Sequence, residues 1–169
     1  GREVDALLRR SKADVGAPLI GLFPGAGHES RRWPLEKFAQ LADSLIRNDG
    51  ARPIVFAGPE ERELVPQMRQ LFPAGTVILD RLTIPELAAA QARLAVFVSN
   101  DTGPMHIAAA VGVPVVLLLD RRAPETYVPL TESKRVIYSV TILEIPVEEV
   151  YGATRELLAA GRTEALFAS

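Results

Sequence analysis

The chain contains no cysteine. That excludes disulfides, thiolate metal sites and cysteine nucleophiles, and it fits a reducing compartment without requiring one. Histidine is nearly as scarce, with only His28 and His106, and Trp33 is the single tryptophan. Two histidines with no third plausible ligand give little support to a metal site. Neither sign of charge dominates, since 19 Lys and Arg against 21 Asp and Glu leave a formal net charge of -2. This balance argues against a nucleic acid as the main partner. Local basic pairs do occur, at Arg31-Arg32 and Arg121-Arg122. Long apolar runs are missing too. The best stretch, 107–119, is interrupted by Gly112 and Pro114 and is too short to span a bilayer. The first residues, Gly1-Arg2-Glu3-Val4-Asp5, carry no signal-peptide core and no initiating Met, so the chain reads as cut from a longer protein.

What is present is ordinary globular material. Apolar residues make up 48% of the 169 and charged residues 24%, which disfavours disorder. A chain of this length buries roughly 70% of its unfolded surface and forms one domain. Residues 1–17 are charged and uneven and read as a linker or amphipathic lead-in, and 18–169 as the domain.

Short apolar runs alternate with helical spacings. Strands are predicted at Leu19–Phe23, Ile54–Ala57, Thr76–Leu79, Ala95–Ser99, Val115–Leu119 and, more weakly, Val136–Tyr138. Between the first two, Phe38, Leu41, Ala42, Leu45 and Ile46 share one helical face, which Asn48-Asp49-Gly50 stops. Leu64, Met68, Leu71 and Phe72 form a second such face, with Pro66 confined to its first turn. Thr83 and Glu86 have capping-box spacing, with Leu87 and Ala88 expected inward. The run Ile107–Val111, closed by Gly112, is apolar all round and predicts a buried helix. Val147, Val150, Tyr151, Thr154, Leu157 and Leu158 predict a last helix entered at Pro146. Strands alternating with helices imply a parallel α/β sheet covered on both faces. Ligands of such sheets bind beyond the carboxyl ends of the strands, at the switch in strand order.

The residues after each strand are therefore the candidates. After the first come Pro24-Gly25-Ala26-Gly27 and His28, then Arg31-Arg32-Trp33-Pro34. The glycines let a backbone approach a ligand or simply make a turn. The sequence here is neither the dinucleotide fingerprint nor a Walker loop. An arginine offers a planar fork for phosphate oxygens or a solvated surface charge, and Trp33 can anchor the helix entry. After the second strand, Glu60 in Gly58-Pro59-Glu60-Glu61 can accept from ribose hydroxyls or favour a helix start. After the fourth comes Ser99-Asn100-Asp101-Thr102-Gly103-Pro104-Met105-His106. A helix that begins there aims free N–H groups into the cleft, a ready anion site. Asp101 suits sugar hydroxyls or an N-cap, and His106 suits phosphate or a structural role.

Taken in order, Pro24-Gly25-Ala26, Arg31-Arg32-Trp33-Pro34, Phe38-Ala39 and the block Asn100–Ala110 resemble glycosyltransferase family 9, the heptosyltransferases. The likeness covers roughly residues 19–160, with Asp101-Thr102-Gly103-Pro104-Met105-His106 its most specific part. It implies a GT-B enzyme with two Rossmann-like halves, of which this chain is the C-terminal, donor-binding one. It implies an ADP-heptose donor held without a metal or other cofactor, inversion at the anomeric carbon, and a lipopolysaccharide core or other envelope glycan as acceptor. By motif, Asp101 would bind sugar hydroxyls, Thr102 and Gly103 the diphosphate, and Glu60 the nucleoside. Gly25, Arg31 and His106 complete the expected donor site. Arg31 stands where many members have lysine.

There are departures. The family usually shows Phe-Gly-Pro-Thr after the fifth strand, where this chain has Leu119-Asp120-Arg121-Arg122. Many members carry a cysteine-bearing insertion before the last helix, whereas this chain runs straight from Tyr138 to Ile145. The general base is expected on the missing N-terminal acceptor domain, so no catalytic residue is assigned here. The expected location is cytoplasmic, with any attachment to the inner membrane left to the full-length protein. The alternative reading is a non-catalytic nucleotide-sugar-binding module from a degenerate relative, prompted by the altered Asp120-Arg121-Arg122 loop. Another GT-B member such as a sugar-nucleotide epimerase lacks the specific block.

Overall fold

A computed structural model describes Arg2, Val4, Ala6, Arg9 and residues 16–120, 128–129 and 131–168. Six strands form one parallel sheet: β1 Leu19–Phe23, β2 Arg52–Phe56, β3 Val77–Leu79, β4 Val96–Asn100, β5 Val115–Asp120 and β6 Lys134–Ser139. Their order is β3-β2-β1-β4-β5-β6. The helices are α1 Leu35–Asp49, α2 Val65–Leu71, α3 Ile84–Gln91, α4 Gly103–Ala110 and α5 Val147–Ala168. Alternate strand residues feed two cores. Ile20, Leu22, Val96 and Val98 meet α1, α2 and α5 on one face. Leu19, Phe23, Phe97 and Leu117 meet α3 and α4 on the other. The α/β, Rossmann-like expectation therefore holds, with helices on both faces.

The strands are apolar because both their faces are covered; β1, β4 and β5 are buried at every position. β2 starts two residues before the apolar run predicts, with Pro53 inside it. Arg52 N–H bonds to Pro18 C=O on the β1 side, so the next nitrogen faces the β3 side. β3 pairs only from Ile54 onward. Pro53 therefore lacks a donor where no ladder bond is due. α1 ends at Gly50, whose φ of 60 lies in the left-handed region.

Three further predictions meet the structure here. Thr83 and Glu86 form the capping box, with Thr83 N–H donating to Glu86 Oε2 at 2.9 Å and Glu86 N–H donating to Thr83 Oγ1 at 3.4 Å. Leu87 and Ala88 are only half-buried, however, and the buried residues of α3 are Ala90 and Gln91. α4 is not buried all round. It packs on β4, β5 and α3, burying Met105 and Ala108, and Val111 just after it is 39% exposed. Its apolar character comes from alanines, whose small side chains cost little when left in water. Val150, Thr154, Leu157 and Leu158 of α5 are buried as predicted.

Of the expected lead-in, Arg2, Val4, Ala6 and Arg9 have helical backbone and Val4 is buried. Arg121 and Arg122 lie outside the described residues. Asp120, at the end of β5, is buried.

Candidate functional site

The chain leaves β1 for β2 and β3 on one side, then returns to place β4 against β1 and continues to the other side. The loops after β1 and β4 leave the sheet at this switch point, where open α/β sheets bind their ligands. The first loop carries His28 and Arg31 and the second carries Asp101, Thr102 and Gly103.

Asn100 joins the two loops. Its side chain is fully buried. Oδ1 accepts from Trp33 N–H at 3.1 Å, and Nδ2 donates to Pro24 C=O at 3.0 Å and Gly25 C=O at 3.1 Å. Two carbonyls against one N–H fix the orientation of the amide. Trp33, 1% exposed, donates from Nε1 to Ile145 C=O at 3.0 Å and stacks edge-on against Phe38, with ring centroids 4.8 Å apart. Lys37 Nζ donates to Leu143 C=O at 2.7 Å and to Ile145 C=O at 2.9 Å. Trp33 thus anchors the entry to α1, as one sequence reading held.

Arg31 ends a short 3-10 turn, Glu29–Arg31, and is exposed. His28 caps this turn. Its Nδ1 accepts from Ser30 N–H at 3.2 Å and lies 2.8 Å from Ser30 Oγ. Asp101 is half-buried between the loops. Burial pushes its carboxyl above the ordinary range, and the nearby His106 and Arg31 pull it back only in part. Arg31 and His106 therefore lie near enough to act on Asp101 at the mouth. Thr102, not Asp101, is the N-cap of α4, with extended backbone and no side-chain cap bond. Its hydroxyl turns instead toward Ser99, with Oγ1 3.2 Å from Ser99 Oγ. Pro104 removes one of the donors that every helix start leaves over. The N–H groups around Thr102 and Gly103 stay uncapped by side chains.

Gly25 is buried beneath this mouth, and the structure gives a reason for it apart from any ligand. A Cβ there would come within 2.5 Å of the Glu61 side chain. Glu61 is 4% exposed and its Oε2 accepts from Gly58 N–H at 2.8 Å. Glu60, the residue singled out from the sequence, is exposed. Glu61 stands three residues after Gly58 and satisfies its backbone N–H at the start of the 3-10 turn Pro59–Leu64.

Between the carboxyl ends of β1–β3 and the start of α4 lies a cavity of about 490 Å³, lined by Phe56, Gly58, Leu79, Leu82, Leu87 and Pro104 among others. Its size and mainly apolar wall suit a small-molecule site. A smaller hollow of about 210 Å³, bordered by Arg52 and Thr76, lies at the amino ends of the strands, away from where doubly wound sheets bind ligands. Gln91 Nε2 donates to Pro104 C=O at 2.9 Å, tying α3 to the first turn of α4. Among the described residues, no three His, Asp or Glu stand together as a metal site.

A parallel sheet in this order, with a charged mouth at its switch point and an apolar cavity beside it, defines a Rossmann-like α/β unit. The chain belongs to glycosyltransferase family 9 (heptosyltransferase), whose family model matches residues 3–149. It is 34% identical over 137 residues to lipopolysaccharide heptosyltransferase 2 of Salmonella typhimurium, covering 73% of this chain and 37% of that protein. The crystal structure of the glycosyl transferase family 9 from Veillonella parvula superposes with a TM-score of 0.83 at 26% identity, over 94% of this chain and 51% of that one. The E. coli ADP-heptose LPS heptosyltransferase II superposes with a TM-score of 0.81 at 24% identity, over 95% of this chain and 52% of that one, and shows the shared fold. The chain thus spans about 37% of the length of that Salmonella relative and about half of each solved structure.

Proposed function

We propose that this chain is the donor-binding half of an inverting glycosyltransferase, with ADP-heptose as donor and a lipopolysaccharide core glycan as acceptor. One observation carries the reading: Arg31, Asp101 and the uncapped start of α4 converge at the switch point beside an apolar cavity large enough for a nucleoside. The base enters the cavity against Phe56, Leu79 and Leu87. The diphosphate lies across the N–H groups of Thr102 and Gly103, where the helix end favours negative charge. Arg31 neutralises the charge that develops as the nucleotide departs, an effect worth several kcal/mol in comparable sites, on the order of 3. Asp101 accepts from sugar hydroxyls and orients the anomeric carbon. His106, on the first turn and a half of α4, donates to the outer phosphate. Gly25 and Glu61 shape the floor below them.

The acceptor hydroxyl attacks from the far side of the sugar, which inverts the centre. The base that deprotonates it belongs to the acceptor-binding half. The guanidinium and the helix start supply the positive field, so the reading needs no metal.

An NMR titration with ADP tests this proposal. ADP should shift the amides of Thr102, Gly103, Met105 and His106, with the same affinity in EDTA. A titration that moves none of the amides between 101 and 107 overturns the reading.

A further inference from the structure

The loop after β1 and the start of α4 must hold a set distance if Arg31 and the α4 N–H groups are to grip one diphosphate. We infer that Asn100 is the positioning residue that sets this distance, a role that presupposes the donor reading above. Its carboxamide makes three hydrogen bonds, all to backbone of the loop after β1. Two go to the start of that loop, at Pro24 and Gly25, and one to its end, at Trp33. The segment between, which carries His28 and Arg31, is pinned at both ends by one side chain. The next residue in the chain is Asp101. The arginine loop and the acid-bearing helix start are thereby fixed to the same point.

No other residue type meets these three demands. Aspartate would set a negative oxygen against two carbonyls. Glutamine adds a methylene to a fully buried side chain, and serine, with one O–H donor, cannot serve two carbonyls and the Trp33 N–H together. Asn100 is fully buried, so it acts on the donor through Arg31 and not by contact.

A double-mutant cycle tests the inference with ADP as probe, on wild type, Asn100→Ala, Arg31→Ala and the pair. Asn100→Ala should weaken ADP binding by about tenfold. In the Arg31→Ala background the same change should cost less than about twofold, because the group it positions is gone. Leu158→Ala, in the core under α5, serves as the stability control and should lower Tm with ADP affinity unchanged. Losses that add in the cycle, or an equal ADP loss in Leu158→Ala, overturn the inference.

Hydrogen exchange without ligand separates this role from the donor reading. In Asn100→Ala the Trp33 amide should exchange faster while Leu22 in β1 does not change. Unchanged protection at Trp33 overturns the inference. Faster exchange at Trp33 in a protein whose wild type ignores ADP upholds the clamp and sinks the donor reading. Should Asn100→Ala fail to fold, Asn100→Asp replaces it. Its protonated form retains one donor, so its ADP affinity relative to wild type should recover as pH falls, and a flat ratio overturns the inference.

Discussion

Single residues at the mouth show where binding and stability pull apart. Asp101 has a folded-state pKa above its unfolded value because burial outweighs Arg31 and His106. At low pH the carboxyl is neutral in both states and burying it costs nothing extra. As pH rises through the unfolded value toward the folded one, the unfolded chain ionises more readily, and stability falls. Asp101→Asn should therefore raise Tm at neutral pH and leave it unchanged in strong acid, as thermal scans across that range would show. In the full-length enzyme the same change should cut sugar transfer far more than ADP affinity; equal losses would place Asp101 away from the sugar. Gly25 makes the opposite point. Gly25→Ala drives a Cβ into Glu61 and should cost about 1–3 kcal/mol in urea denaturation, with part recovered when Glu61→Asp shortens the neighbour. The motif block was readable from sequence because its residues are contiguous. Asn100 and Glu61 were not, because their importance lies in partners that the fold alone brings close: Pro24, Gly25 and Trp33 for one, Gly25 for the other.

At the level of elements, capping and burial decide how much local sequence reveals. Thr83 and Glu86 satisfy each other's backbone donors within four residues, so the start of α3 is written locally. Thr83→Ala should cost about 1 kcal/mol of stability, measured by chemical denaturation, without altering ADP binding. Strands β1 and β5 were legible to within a residue because unbroken apolar runs end there at a proline or a charge. β2 extends back past the apolar run to Arg52 because the Pro53 nitrogen faces a side where no β3 partner is paired. The helix α4 was read as buried because its composition is apolar, yet how many faces a helix covers depends on its neighbours. Here β4, β5 and α3 cover one side only.

The whole molecule is built on one sheet with a hydrophobic core on each face. It should unfold cooperatively, as domains of this size do. It should bind ADP weakly, since a diphosphate still in contact with water gains less from each charge. Incubated with ADP-heptose and an acceptor glycan, it should release no ADP above the acceptor-free control. Release abolished by His28→Ala or His106→Ala would show that the chemistry resides in this chain. His28 already spends Nδ1 on its own turn, which leaves it poorly placed as a base.

The clamp also carries a consequence for how the protein comes into being. Asn100 and Pro24 lie 76 residues apart in the chain, and their meeting requires β4 to dock beside β1 across the whole β2–β3 excursion. Such long-range parallel pairing is the slow step in sheets of this kind. A nascent or half-refolded chain can hold β1–β3 with its helices and still have no mouth, because Arg31 is not yet tethered to the start of α4. ADP added to a refolding chain then finds nothing to grip until the barrier is crossed. It should slow the rate of unfolding and leave the rate of folding where it was.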